Sequence, residues 1–328
     1  MRQLEIVFAG HLDFFFTPVA AALEAKGHTF VRYRTPAEFL ANADALMNAR
    51  VLYAHGFIPV SRETLSRAPR LAAVISTWMG TEGFDEKAAT DFGIVVGHGA
   101  VPENAESMAE ATVLMLLACL YDVNAAQRRL RDHIWGQPHL TARMLKGKTV
   151  GIFGYGNIAR GIVQRLAGWG VNFLAATRHP PADAANVKFV PLEEMLNASD
   201  IVCVLAPLTD ETRGLFDTRR LAAMKRGSIL VCTSRGGIID EAALYDLAVQ
   251  GHFAAVGLDV YQTEPLPEDS PLRTLPNAIL TPHGIGLTRE ARKLLIEVGV
   301  ENVLRVLDGR PPVYIRNPDV LPVWRAKR

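Results

Sequence analysis

The chain has 328 residues, 49% of them hydrophobic and 21% charged, a composition that buries a large core and excludes a disordered or collagen-like chain. Lys plus Arg number 35 against 34 Asp plus Glu, so the net charge is +1; with no basic block, a nucleic-acid partner is not expected. At ~150 residues per domain the length predicts two domains. The longest apolar run, 111–121, is shorter than the ~20 residues a membrane span needs, and the N-terminus has no signal-peptide pattern. The three cysteines, Cys119, Cys203 and Cys232, lie far apart in apolar runs, with no metal-ligand spacing. They read as buried, reduced thiols of a cytoplasmic protein with no metal and no membrane partner.

The first hundred residues alternate short β-type runs with amphipathic stretches. Strands are expected at 4–9, 28–33, 51–54, 71–76 and 94–96, with a helix at 17–26 ending at Gly27. Strand and helix in alternation imply a parallel sheet. No glycine-rich phosphate loop follows any of these strands, so this half is expected to be doubly wound without a nucleotide site of its own. A long apolar helix is expected over 104–121, with Ser107 and Glu110 as a capping box near its start. Residues 128–148, punctuated by Gly136, Pro138 and Gly147, read as an irregular polar arm and linker. A second sheet is expected from the apolar runs 149–153, 172–176, 201–204, 228–232, 254–258 and 278–280. A last long helix should start after Thr288 and run to about Leu307. No further regulatory domain is expected after residue 328.

Gly154-x-Gly156-x-x-Ala159 stands directly after one of these strands and opens a helix at Asn157-Ile158, the context a dinucleotide-binding turn requires. Gly154 permits the tight turn, Gly156 lets backbone N–H groups approach a pyrophosphate, and Ala159 keeps helix and strand close. The helix N-terminus favours the anion. About 20 residues on, an NAD site places Asp or Glu. Here the residue is Thr177, followed by Arg178. Thr177 does not repel a 2′-phosphate and Arg178 can pair with one, which favours NADP over NAD. Stacking of Arg178 on adenine would suit either cofactor, so the missing acid is the stronger half of this argument.

Three segments at the ends of later strands hold reactive groups: Thr233-Ser234-Arg235, Asp259 to Glu264, and His283 to Gly286. A dinucleotide that delivers a hydride to a carbonyl carbon leaves a proton to be placed on the carbonyl oxygen. An imidazole, with an ordinary pKa of ~6.5, can give and recover that proton near neutrality. A carboxylate beside it, Glu264, favours the imidazolium and fixes its tautomer. Arg235, permanently charged, can hold a carboxylate bidentately and polarise the carbonyl. Asp259 could also cap the turn that follows it, and both roles can coexist.

The runs VGIFGYGNIARG, APLTDETRGLF, MKRGSILVCTSRGGIIDEAAL, GLDVYQTEPLP and LTPHGIGLT together resemble the D-isomer-specific 2-hydroxyacid dehydrogenases. The resemblance implies an α/β fold of two doubly wound parallel-sheet domains. A Rossmann dinucleotide domain, 102–286, is inserted into a flavodoxin-like substrate-binding domain, 1–101 and 287–328, and the enzyme is a homodimer. It implies Arg235, Glu264 and His283 as catalytic residues and Asp259 beside the nicotinamide carboxamide. Met79 and Gly80 match the family's Val-Gly pair, whose backbone amides bind the substrate carboxylate; the departure at Met79 leaves the backbone donors intact. Further dinucleotide contacts are implied from Pro207, Thr212, Thr233, Ser234 and Gly286. Two roles are open to Trp135, packing a dimer interface or reaching a neighbouring subunit's active site. The other histidines read as surface or packing residues. Glyoxylate or hydroxypyruvate reduction with NADP, or NAD, suits a sequence with no second basic cluster for a substrate phosphate. Phosphoglycerate oxidation is the alternative within the class, and a non-enzymatic dinucleotide sensor the alternative outside it.

Overall fold

A computed structural model describes residues 4–135 and 141–326, so Gly136 and Pro138 of the expected arm lie outside the described residues. The chain divides into two compact units, Met1–Glu103 with Arg289–Arg328, and Asn104–Thr288.

The first unit holds five strands, β1 (Ile6–Ala9), β2 (Phe30–Tyr33), β3 (Val51–Ala54), β4 (Ala73–Ser76) and β5 (Val95–Gly97). All neighbours are parallel, in the order β2-β1-β3-β4-β5, the flavodoxin-like winding. Central strands β1, β3 and β4 are buried at every position, as nearly all-apolar runs such as IVFA and AVIS require when helices cover both faces. One face packs Phe8, Phe16 and Tyr53 against Val303, Val306 and Trp324 from the far end of the chain, so residues beyond 288 complete the core of a unit that residues 4–103 begin. The first helix runs Asp13–Glu24, four residues earlier than expected at its start, because Phe15 and Phe16 are buried and Pro18 is accommodated inside it. Gly27 follows it at φ +82°, with the His28 N–H donating to Leu23 O at 3.1 Å.

The second unit holds seven parallel strands: β6 (Thr149–Phe153), β7 (Asn172–Ala176), β8 (Val187–Phe189), β9 (Ile201–Val204), β10 (Ser228–Cys232), β11 (Phe253–Leu258) and β12 (Ala278–Leu280). Their order, β12-β11-β10-β9-β6-β7-β8, reverses between β6 and β9, the Rossmann switch point. Apolar side chains fill both faces of this sheet. The three cysteines are unpaired and buried here; burial pushes Cys119 and Cys203 up to about 12 and Cys232 to about 11, so they are inert thiols.

Three expectations need correction. The long helix runs Pro102–Leu120, so Ser107 and Glu110 lie inside it rather than in a capping box. Ser107 instead donates its hydroxyl to Gly286 O, a partner 179 residues away, and Glu110 pairs with Arg165 at 3.0 Å. The arm expected to be irregular from 128 begins as the last turn of a helix, Val123–Arg131, which buries no residue; its apolar positions, Val123, Ala126 and Leu130, are spaced for one helical face but lie among arginines. Strand β8, three residues long with one fully buried, was not expected. Among the described residues no single helix is long and apolar enough to cross a membrane; Pro102–Leu120 and Val123–Arg131 reach such a length only as a pair bent by 59°. The first of the two is apolar because Met115, Leu116 and Cys119 sit in the second unit's core.

Candidate active site

The glycine turn follows β6 and faces the end of β9 across the switch point. Gly154 sits at φ +92°, and a Cβ there would fall 2.5 Å from Ala206 N, so both its conformation and its surroundings require glycine. At Gly156 the reverse holds, since a Cβ would meet nothing within 4 Å. That open space lies at the N-cap of the helix Asn157–Arg165, whose first amides, from Asn157 and Ile158 on, receive no side-chain cap. Exposed amides, a helix dipole and free space at one point fit a pyrophosphate. Ala159 is fully buried against the sheet.

At the end of β7, Thr177 is half-buried and Arg178 is exposed, its guanidinium 3.0 Å from the Glu211 carboxylate. The loop after β9 carries Pro207, exposed, and Thr212, buried, whose hydroxyl donates to Pro207 O at 2.8 Å. After β10, the hydroxyls of Thr233 and Thr112 are 2.9 Å apart, and the Ser234 hydroxyl lies 3.9 Å from Cys232 Sγ. Gly286 lies so close to the Pro102–Leu120 helix that a Cβ would meet Met108 Sδ at 2.0 Å.

The reactive trio is assembled by backbone contacts between the ends of β10, β11 and β12. His283 Nδ1–H donates to Glu264 Oε2 at 2.6 Å. The Tyr261 N–H donates to the other oxygen, Glu264 Oε1, at 3.0 Å. Burial opposes ionisation of Glu264. The His283 bond and charge, the Tyr261 amide and the Arg235 guanidinium together outweigh it and hold this carboxyl below its ordinary 4.5. Arg235 is fixed from behind, its Nη1 donating to Ser234 O at 2.7 Å while the next residue, Gly236, presses on the Tyr261 backbone. Neighbouring Glu241 is pushed up by burial, and further by Glu264, against the Gln262 N–H bond it accepts.

His283 occupies a left-handed conformation at φ +50°, uncommon for a residue with a side chain and characteristic of functional sites. Asp259, only 1% exposed, holds it there. Its Oδ1 accepts from the Thr281 hydroxyl at 2.6 Å, from Gly284 N–H at 3.0 Å and from Ile285 N–H at 3.2 Å. Burial raises the Asp259 carboxyl, opposed by these three bonds and by His283. The Tyr261 hydroxyl pins the same turn by donating to Thr281 O at 2.9 Å. Sequence reasoning missed Tyr261, Glu241 and Thr112; Tyr261 and Glu241 fall within the runs GLDVYQTEPLP and MKRGSILVCTSRGGIIDEAAL, whereas Thr112 has no local signal.

The Glu264–His283 pair has a consequence for stability. A carboxyl depressed by folding contributes stability above its unfolded value that is lost as pH falls through its lower folded value. Thermal melts from about pH 6 down to about pH 3 should therefore show a loss of stability below about 4.5 that is smaller in Glu264→Gln. Parallel curves for the two proteins would exclude an ionic Glu264.

In the first unit, Met79 and Gly80 follow β4. Met79 is exposed, and Gly80 O accepts from the Ser76 hydroxyl at 2.6 Å.

Residues 113–284 match the family described as D-isomer specific 2-hydroxyacid dehydrogenase, NAD binding domain. A glyoxylate reductase of Korarchaeum cryptofilum is 35% identical over 274 residues, covering 81% of this chain and 82% of that protein. A D-3-phosphoglycerate dehydrogenase of Mycobacterium bovis is 38% identical over 251 residues; the match covers 76% of this chain and only 47% of that protein. The solved NADPH-dependent glyoxylate/hydroxypyruvate reductase of Sinorhizobium meliloti, in complex with NADP and malonate, superposes with a TM-score of 0.86 at 28% identity, covering 96% of this chain and 98% of that one. With its Rossmann switch point, the glycine turn beside it and these relatives, the chain belongs to the D-isomer-specific 2-hydroxyacid dehydrogenases and is an NAD(P)-dependent oxidoreductase acting on CH–OH groups.

Proposed function

We propose that the enzyme reduces 2-oxo acids, small ones such as glyoxylate and hydroxypyruvate included, prefers NADPH, and works as a cytoplasmic homodimer. The observation that carries this reading is the 2.6 Å bond from His283 to Glu264, on a carboxyl whose ionisation Arg235 also favours. The dinucleotide, when bound, supplies the hydride. Pyrophosphate binding falls to Gly154, Gly156, Asn157 and Ile158, with further contacts from Pro207, Thr212, Thr233, Ser234, Asp259 and Gly286. The backbone amides of Met79 and Gly80 bind the substrate carboxylate, and Arg235 holds that carboxylate and polarises the ketone. His283, fixed through Nδ1, presents the proton on its other nitrogen to the ketone oxygen, and Glu264 stabilises the imidazolium. One proton is taken up for each ketone reduced. Reduction is therefore expected to slow as pH rises through neutrality while hydroxy-acid oxidation quickens; a flat profile in both directions would count against His283 as the proton carrier.

Arg178 supports the NADPH preference. Its exposed pair with Glu211 contributes at most ~1 kcal/mol. A charge-assisted bond from guanidinium to a ligand phosphate contributes roughly 1.5–3 kcal/mol. The phosphate therefore displaces Glu211. Arg178→Ala is expected to weaken NADPH binding about tenfold, with NADH affected far less, in a fluorescence titration. Equal losses for both cofactors would assign Arg178 to adenine stacking.

The apolar side chains of Leu114, Tyr121, Val123, Leu130, Ile134 and Trp135 are exposed along the helices Pro102–Leu120 and Val123–Arg131 and the residues after them, which supports self-association. Oxidation of NADPH in the presence of glyoxylate or hydroxypyruvate, followed by its near-ultraviolet absorbance, tests the activity. Tight NADPH binding without turnover of any 2-oxo acid would favour a sensor instead.

A further inference from the structure

We infer that the substrate's side chain lies in an aromatic box at the end of the first unit's sheet, and that the preferred substrates are 2-oxo acids bearing an aromatic ring. The inference rests on the proposal that the Met79 and Gly80 amides bind the substrate carboxylate. In a parallel sheet ligands gather beyond the C-terminal ends of the strands. Beyond β1, β3 and β4 stand Gly10-His11, His55-Gly56-Phe57 and Thr77-Trp78-Met79-Gly80.

Two backbone contacts weld these ends together. A Cβ on Gly56 would fall 2.1 Å from Gly80 O, and the Gly83 N–H donates to Gly56 O at 2.7 Å. His55 and Phe57, on either side of Gly56, are thereby held beside the carboxylate-binding pair. Around them is a nest of rings. The His55 centroid lies 5.2 Å from Phe57, 6.0 Å from His11 and 6.4 Å from Trp78, whose other side packs edge-on to Phe15 at 4.7 Å. The Trp78 indole N–H is buried without a hydrogen-bond partner among the described residues. Phe57 is 45% exposed and Met79 43%, large apolar surfaces at the ligand end of a sheet.

The chemistry of the tail follows from what surrounds it. Glyoxylate has no side chain to use these walls, and a hydroxymethyl group covers little of them. Residues 10–12, 55–58 and 77–82 contain no Lys or Arg, so they offer no permanent cation to a phosphate or a second carboxylate. Arg32 nearby is tied to Gly10 O at 3.0 Å and to Asp13 at 2.8 Å. Phe57, Trp78, Met79 and the faces of the imidazoles match an uncharged planar group, and an aromatic ring buries roughly 150–250 Å² against such walls.

The test compares kcat/KM for phenylpyruvate and glyoxylate with NADPH, in the wild type and in Phe57→Ala. The expected result is a preference for phenylpyruvate of at least about tenfold, reduced about tenfold in Phe57→Ala, at the low end of the roughly 10–200-fold that one apolar contact is worth. The readout is the ratio, which loss of folded or active protein leaves unmoved. Phe57→Leu should restore part of it. Glyoxylate turnover as efficient as that of phenylpyruvate, or a ratio that Phe57→Ala leaves unchanged, overturns the aromatic box and leaves the reductase standing. Failure to reduce either acid despite NADPH binding overturns both.

Discussion

His283→Asn is expected to lower kcat/KM for 2-oxo acid reduction by about 10²–10⁴-fold while leaving the Kd for NADPH within about a factor of two, because general acid catalysis contributes about that much to such steps. In free energy the loss is roughly 3–5 kcal/mol of transition-state stabilisation. Asparagine is the informative replacement. His283 sits at φ +50°, a conformation that Asn tolerates and most other residues resist, so the turn built on Asp259 keeps its shape. The amide can hydrogen-bond a carbonyl but cannot deliver a proton. The slope of the rate against pH that the imidazole supplies should vanish with it. Retention of a third or more of wild-type turnover would remove His283 from the proton-transfer step. A parallel loss of NADPH affinity would show that the substitution damaged the unit and not the chemistry.

Some of this site could be read before any coordinates, for reasons visible in particular residues. Gly154 and Gly156 are legible because the turn's features are local: Gly154 needs φ +92° beside the Ala206 backbone, which glycine alone meets, and Gly156 leaves open space at the start of a helix. Arg235, Glu264 and His283 are legible because each follows a short, mostly apolar strand, and reactive groups at strand ends stand out against such runs. What sequence does not carry is the partner across a large separation. Thr112 meets Thr233 across 121 residues and Ser107 meets Gly286 across 179. Ser107 and Glu110 have the spacing of a capping box, but a buried hydroxyl with a distant carbonyl in reach takes that carbonyl, and the helix starts earlier. The triple role of the Asp259 oxygen is hidden for the same reason, since two of its three donors are backbone amides that any residue type could supply. Strand β8, three residues with one of them buried, is too short to impose a period, and in the helix Val123–Arg131 three arginines outweigh a short apolar face. The aromatic box needs β1, β3 and β4 side by side before His11, His55 and Trp78, scattered over 68 positions, become one cluster.

Gly236→Ala is expected to be among the most damaging single methyl groups that can be added to the second unit, and Gly284→Ala among the mildest. A Cβ on Gly236 would lie 2.0 Å from Tyr261 C, 2.2 Å from Tyr261 O and 2.3 Å from Tyr261 Cα. All three are backbone atoms, which cannot rotate away as the tip of a side chain can. Relief must come from parting the loop after β10 from the loop after β11. That movement carries Arg235 away from Glu264, and it strains the Tyr261 N–H bond to Glu264 Oε1 and the Tyr261 hydroxyl bond to Thr281 O. Overpacking of this kind costs about 1–3 kcal/mol or more. For a unit of this size each kcal/mol lowers Tm by roughly 2–4 °C, so a fall of about 4–10 °C is expected together with a large loss of kcat. At Gly284 the nearest atom to a new Cβ, Pro282 O, is 3.7 Å away, an ordinary contact, so Tm should stay within about 2 °C of the wild type. Differential scanning fluorimetry on the two variants in parallel decides the matter. If Gly236→Ala melts with the wild type, the close seat of Gly236 on the Tyr261 backbone is wrong, and with it the account of how guanidinium and carboxylate are held together.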